Sequence, residues 1–239
     1  MSGIAPQGSP LSPLLSNIML DDLDRELFKR GHRFVRYAGD VMIFVRSKRA
    51  AERTLASVTG FIEKTLKLKV NKEKSKACPI WWTSLLGFSY YLTKGQVKIR
   101  VDRKAVKRLK ATVRRITSRT WGVSMAHRPT LDKLNRFSVG WVAYFGLADS
   151  PKVFDEIDMW TRRRLRQAQW RQWKTARNRA TNLRNLGIEE KMLGSQGLGG
   201  TRHWRTSKIA PLELGLNRAY CEAQGYKPLN GSWSRQKPA

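Results

Sequence analysis

Residues Phe34-Val35-Arg36-Tyr37-Ala38-Gly39-Asp40-Val41-Met42-Ile43-Phe44-Val45 constrain the fold more than any other stretch. Two apolar arms rich in Val, Ile, Phe and Tyr flank a Gly-Asp pair. Such side chains favour strands, and Gly-Asp is a turn signal. A β-hairpin is predicted over residues 34–45, with the Asp40 carboxylate held at its tip.

The flanking sequence changes period. Ser12-Pro13 reads as an N-cap followed by the first helical residue, where Pro loses no helical hydrogen bond. Leu15, Ile18, Met19, Leu23 and Leu27 then recur at helical spacing, and Gly31 is a C-terminal stop. Ala51, Leu55, Val58, Ile62 and Leu66 mark a second amphipathic helix. The run Leu85–Leu92 reads as a strand. Thr93-Lys94-Gly95-Gln96 turns it into a partner over Val97–Val101. Helix, hairpin, helix, hairpin is an α+β pattern. Beyond residue 102 the strand signal fades. Ala105, Val106, Leu109, Val113 and Ile116 form one helical stripe, with Lys104, Lys107, Arg108, Lys110, Arg114 and Arg115 around it. Leu131, Leu134, Ser138, Trp141, Val142 and Phe145 form another. A third helix, with room for a break, runs from Asp155 to about Arg184. A boundary near 100–104 separates a mixed module from a helical, basic one.

Charge narrows the partner. The 239 residues hold 47 Lys and Arg against 18 Asp and Glu, a net charge of +29. Such an imbalance needs a polyanion to neutralise it. Nucleic acid leads and an anionic membrane surface is the alternative. Residues 101–239 carry 29 basic and 10 acidic side chains, so the second half is the main polyanion surface. Residues 160–184 hold nine basic side chains, three Trp and no acid. Arg forks match phosphate and Trp stacks on bases or on Arg. Arg162, Arg163, Arg164, Arg166, Arg171, Lys174 and Trp170 are therefore the candidate RNA-binding residues, against the plainer reading of a core helix with a solvated basic face. No long apolar run predicts a membrane span, and no basic-then-apolar leader marks secretion. Cys78 and Cys221 are isolated and fit a reducing cytoplasm. His32, His127 and His203 are scattered.

The hairpin resembles the Tyr-x-Asp-Asp hairpin of reverse transcriptases, with Gly39 in place of the first Asp. Three further blocks, in order, resemble those of group II intron reverse transcriptases. Pro6-Gln7-Gly8 through Asn17 is similar to the block that lies beside the templating base and incoming nucleotide. The resemblance implies a nucleotide and template pocket of Pro6, Gln7, Gly8, Tyr37 and Ala38. Leu66–Ser75 is similar to the Leu-x-Leu-Asn-x-x-Lys-Thr block, with Lys74 in the lysine position. Leu86-Gly87-Phe88 is similar to the family's primer-gripping tripeptide. Leu134 through Gly187, with Gly140–Phe145, Ile157–Arg166 and Trp170–Lys174, resembles the maturase-specific thumb segment.

The resemblance implies an α+β fold: a partial palm over residues 1–102, an all-helical thumb and maturase domain over 103–190, and a C-terminal extension over 191–239. It implies intron RNA as partner, with a DNA/RNA hybrid as a further ligand. Polymerases of this family use Mg²⁺, a hard cation that prefers oxygen, in a two-metal displacement. The metal-binding carboxylates come from an upstream strand and from the hairpin. The chain starts at the Pro-Gln-Gly block, so that strand and the fingers lie outside it. Gly39 offers no ligand, and Asp40 remains as a single catalytic remnant with an incomplete metal site. Asp21, Asp22 and Asp24 are expected to face solvent on the first helix. Two functions compete. One is an RNA-binding module that assists intron folding and splicing, with polymerase activity lost in the isolated chain. The other is a polymerase component completed by a separate fingers chain.

Overall fold

The computed structural model describes residues 11–118, 128–194, 198–199 and 203–234. The chain forms two compact units that divide between Leu85 and Leu86.

In the first unit, helix α1 (Leu11–Lys29) leads into an antiparallel hairpin, β1 (Arg33–Tyr37) and β2 (Asp40–Phe44), and then α2 (Lys48–Lys64). Ser12 and Pro13 lie inside the first turn of α1 rather than at its edge. The Pro is tolerated there because first-turn N–H groups lack helical acceptors. The helix stops at Gly31 as expected. Its φ of +70° lets the Gly31 and His32 N–H groups reach back to Phe28 and Leu27, the paired bonds of a Schellman motif. Ser47 caps α2 by accepting from the Ala50 N–H at 3.2 Å. Leu20, Leu23 and Leu27 of α1 bury with Val58 and Leu66, and Phe34, Val41 and Ile43 of the hairpin pack against them. A single-turn helix over Ile80–Trp82 and a two-residue strand, β3 (Ser84–Leu85), end this unit.

The second unit opens on the hairpin β4 (Phe88–Thr93) and β5 (Gln96–Val101). Thr93 pairs with Gln96, and Lys94 and Gly95 both take positive φ, the geometry of a type I′ turn. Helices α3 (Arg103–Ile116), α4 (Arg128–Phe145), α5 (Pro151–Gln172) and α6 (Ala176–Asn185) follow. The long third helix expected from sequence is broken at Trp173-Lys174, where Lys174 takes φ +45° and Thr175 caps α6. Short helices α7 (Glu190–Gly194), α8 (His203–Thr206), α9 (Ala210–Gly215), α10 (Arg218–Ala223) and α11 (Leu229–Ser234) complete it.

One large core unites these elements. It contains Leu109, Val113, Leu134, Val142, Phe154, Ile157, Leu165, Trp170 and Leu183, and from the chain end Leu212, Leu216, Tyr226 and Leu229. The stretch beyond residue 203 thus closes the helical core. The β4–β5 hairpin also belongs with the helices, although the charge boundary falls near residue 102. The reason is local: the Asp102 N–H donates to the Gly87 carbonyl, and the Asp149 N–H donates to that of Ile99.

Candidate nucleic-acid interface

The turn between β1 and β2 is Ala38-Gly39, not Gly39-Asp40. Ala38 takes φ +50°, and Asp40 is the first residue of β2, paired with Tyr37. Tyr37, Ala38, Gly39 and Asp40 are all exposed. A Cβ on Gly39 would meet nothing within 4 Å, so packing does not impose glycine there. Asp24 departs from the expectation that it faces solvent. It is partly buried and held by Arg36, whereas Asp21 pairs with Arg25 on the surface. Among the described residues, no three His, Cys, Asp or Glu side chains gather closely enough to hold a metal ion. Mg²⁺ wants near-octahedral oxygen, usually from one or two carboxylates with waters and substrate phosphates. At the hairpin tip the turn residues Ala38 and Gly39 have no carboxylate, so Asp40 is the one oxygen ligand that Tyr37–Asp40 offers from a carboxylate. Pro6, Gln7 and Gly8 lie outside the described residues.

Lys74 is exposed on a turn in which its own N–H donates to both the carbonyl and the side chain of Asn71. In the other unit, Leu86 and Gly87 take φ of +54° and +81°. A Cβ on Gly87 would sit 3.1 Å from the Phe145 ring. The Tyr144 hydroxyl donates to the Leu86 carbonyl at 3.0 Å, and Phe88 stacks on Tyr144 at 5.8 Å. The tripeptide thus anchors the hairpin to α4.

The basic run of α5 is spent differently from the sequence expectation. Trp170 is fully buried, and the Arg179 guanidinium lies 4.5 Å over its ring. Arg166 is 8% exposed. It donates to the Ser207 carbonyl and pairs with Glu213 at 2.9 Å. Arg163 lies 3.7 Å over Trp204 and donates to the Trp204 carbonyl and the Ser207 hydroxyl. Arg164 donates to the carbonyl and hydroxyl of Thr117. Burial lowers the pKa of all three arginines. These cations hold α5 to neighbouring segments: Trp170 and Arg166 are buried in the fold rather than set on an RNA face, whereas Arg163 and Arg164 are half-buried and keep part of their side chains at the surface. Arg162 and Arg171 are half-buried, and Lys174 is exposed at the helix break.

A further basic surface lies on α3, whose apolar stripe and surrounding cations are legible in the sequence. Seven of its fourteen residues are Lys or Arg, and none is acidic. Ala105, Leu109, Val113 and Ile116 face the core, leaving Arg103, Lys104, Lys107, Arg108, Arg114 and Arg115 exposed. Among the described residues, none of these six forms an ion pair with an acidic side chain. Lys110 and Arg114 lie 5.7 and 5.4 Å from the Trp160 ring centroid. Asp102 fixes the start of the helix by accepting from the Lys104 N–H at 2.7 Å. The signal that distinguishes α3 from α5 is three-dimensional: among the described residues, the cations of α5 meet carbonyls and a carboxylate of other segments, whereas the six exposed cations of α3 meet no acidic side chain.

Among the described residues, no helix is long and apolar enough to cross a membrane. Residues 2–99 match the reverse transcriptase (RNA-dependent DNA polymerase) family. Residues 106–187 match the group II intron, maturase-specific domain. No curated protein matches the chain.

Proposed function

Since the chain belongs to the group II intron reverse transcriptase/maturase family, we propose that it binds intron RNA and assists the folding and splicing of that RNA. The exposed cations of α3 carry this reading. Each phosphate that a Lys or Arg neutralises releases condensed counterions, which gives affinity without sequence preference. Such a surface also accepts a DNA/RNA hybrid. In this reading residues 1–102 are part of a palm, residues 103–190 are the thumb and maturase domain, and residues 191–239 are an extension that completes its core. Pro6, Gln7, Gly8, Tyr37 and Ala38 correspond to the nucleotide and template block. Leu86, Gly87 and Phe88 correspond to the primer grip, and Lys74 to the palm lysine.

The same reading assigns no RNA-directed DNA polymerisation to this chain alone. Two-metal phosphoryl transfer needs carboxylates on both ions. Here Gly39 offers no ligand, and Asp40 stands without a metal-binding cluster among the described residues. No step through Mg²⁺ is derived.

The test is salt-dependent binding to a structured intron RNA. Changing Lys104, Lys107, Arg108 and Arg115 together to Ala should weaken binding at least tenfold at low salt. The slope of log affinity against log salt should fall by about 0.7 for each lost single-strand contact. Unchanged affinity and slope in a folded variant would remove α3 from the interface. Primer extension above background by the chain alone would favour the rival reading, a polymerase component that a fingers chain completes.

A further inference from the structure

A groove runs between α3 and α4. Ala105, Leu109 and Thr112 line it from α3 at spacings of four and three. Phe137, Trp141 and Phe145 line it from α4 at spacings of four, and Arg108 stands at its edge. Its volume is about 210 Å³. That is several times the ~30 Å³ share of a liquid water and below the ~300 Å³ at which drug-sized pockets begin. It has room for one planar ring system. Ala105, Leu109 and Phe145 are buried and form the floor. Phe137 and Trp141 are only half-buried, so part of each ring faces the groove or solvent. Trp141 is backed by Phe145 at 4.5 Å and by Phe154 at 5.8 Å, which fixes its ring.

Helical geometry sets Lys104, Arg108 and Arg115 along one ridge, at i, i+4 and i+11, beside the groove-lining stripe. All three are exposed. The groove therefore combines an aromatic, apolar interior with a positively charged flank. A ligand that matches both presents a flat apolar ring between negative groups. An unpaired nucleotide within an RNA strand has that form. Splayed bases of single-stranded loops and bulges commonly stack on aromatic side chains or on Arg planes.

We infer that the α3–α4 groove receives one unpaired base of the bound RNA, stacked against Trp141, while Lys104, Arg108 and Arg115 hold the adjoining phosphates. This rests on the RNA-binding reading above and adds a site to it. Among the described residues that line the groove, polar groups come from Arg108, Thr112 and the Trp141 indole N–H alone. Recognition is then by stacking, with a preference for purines over pyrimidines and little readout of base edges. The charge alone would hold paired RNA, whereas the groove distinguishes RNA that carries a splayed base.

The experiment compares three RNAs in fluorescence anisotropy: a perfect duplex, the same duplex with one bulged adenosine, and that duplex with an abasic residue at the bulge. Alanine substitution of a stacking aromatic typically costs about 1–3 kcal/mol per base. The full chain should therefore bind the bulged adenosine about 5- to 150-fold more tightly than the abasic bulge. Trp141→Phe keeps a ring face and should retain most of that preference. Thr112→Phe fills the groove from the α3 side without removing a core contact. It should abolish the preference while leaving duplex affinity and its salt slope in place, with a melting curve to establish that the variant is folded. A bulge carrying 2-aminopurine should lose fluorescence on binding the wild type and not on binding Thr112→Phe. Equal affinity for the bulged and abasic RNAs, with duplex binding retained, overturns the groove and leaves the RNA-binding reading standing. No binding to any of the three overturns both. A groove that takes an acidic aromatic peptide and shows no preference among the RNAs also overturns it.

Discussion

Arg36 of β1 grips Asp24 of α1 through two guanidinium nitrogens, with Nε 2.9 Å from both carboxylate oxygens and Nη2 2.6 Å from Oδ2. Its third nitrogen donates to the Asn17 side chain and to the Ala38 carbonyl. One cation thereby ties the helix to the turn that precedes Asp40. The hydrogen bonds that Arg36 donates to Asp24 raise the Arg36 pKa, against the opposing effect of burial. Arg36→Met should cost about 1.5–3 kcal/mol, the usual range for hydrogen bonds to a charged group. Amide exchange should rise over residues 33–44 and stay unchanged in the helical unit. Protection of the turn equal to wild type would show that the strand ladder alone holds it.

At the turn, a side chain on Gly39 meets open space. Gly39→Asp should therefore fold with a melting temperature within a few degrees of wild type. It restores the carboxylate pair of the family hairpin without assembling a wider metal-binding cluster among the described residues. Primer extension on an RNA template with Mg²⁺ should stay at background. Extension by this single variant would show that the hairpin pair is all the chain lacked.

Much of the hairpin was legible in sequence because strand period and turn residues are local signals. The turn itself slid by one residue, since Ala38 rather than Asp40 took the position with positive φ. The α3 stripe was equally legible, with apolar residues at helical spacing and basic residues around them. The roles of the α5 arginines were not. Arg and Trp in one run read alike whether they stack on RNA or on each other. The partners that decide the matter, Ser207 and Glu213, lie 41 and 47 residues further along. A charge at periodic spacing shows that a face exists, and only tertiary contact shows whether that face is covered.

Those contacts change what an arginine substitution would report. Replacing Arg163, Arg164 and Arg166 together by Ala removes hydrogen bonds to Trp204, Ser207 and Thr117 and strands Glu213. The expected outcome is a destabilisation of several kcal/mol, because bonds to charged donors contribute about 1.5–3 kcal/mol each and do not add fully. Weaker RNA binding by this variant would then follow unfolding. A thermal melt measured beside the binding assay separates the two effects. A variant that melts like wild type and loses RNA affinity would return these arginines to the interface.

The two thiols should differ sharply. Cys221 is buried, and burial pushes its pKa up to about 11, against the opposing pull of Arg166 and Arg162. Cys78 is only half-buried. A thiol-specific chromogen should react quickly with one equivalent in the native chain and with two after denaturation. The pH effect has a definite sign. A folded pKa above the unfolded value of about 8.5 means that the fold favours the neutral thiol. That stability is complete below about pH 8.5 and is lost progressively as pH rises towards 11. Cys221→Ala should therefore show a smaller drop in melting temperature between pH 8 and 10.5 than wild type. Equal drops would place the alkaline sensitivity elsewhere.

Asp158, only 3% exposed on α5, is the acidic counterpart to the arginine contacts of that helix. Its Oδ1 accepts from the Tyr226 hydroxyl at 2.7 Å and from the Leu229 N–H at 2.8 Å, and its Oδ2 accepts from the Asn230 N–H at 2.9 Å. Leu229 and Asn230 begin α11, so the carboxylate satisfies two helix N–H groups that have no acceptor of their own. It also sits where the positive end of the helix favours an anion. Burial and the neighbouring carboxylate push the Tyr226 pKa well up, so the phenol remains a donor. Asp158→Asn keeps the shape but turns one acceptor into an NH₂ facing N–H and O–H donors. The loss should be about 2–4 kcal/mol, in the range for an unsatisfied buried polar group and a broken buried network. Exchange should rise first over residues 226–234, together with exposure of Trp233, whose indole N–H otherwise donates to the Ala148 carbonyl. If Asp158→Asn melts as wild type does, with residues 226–234 still protected, apolar packing of Leu229 and Tyr226 would be holding the chain end without help from the carboxylate.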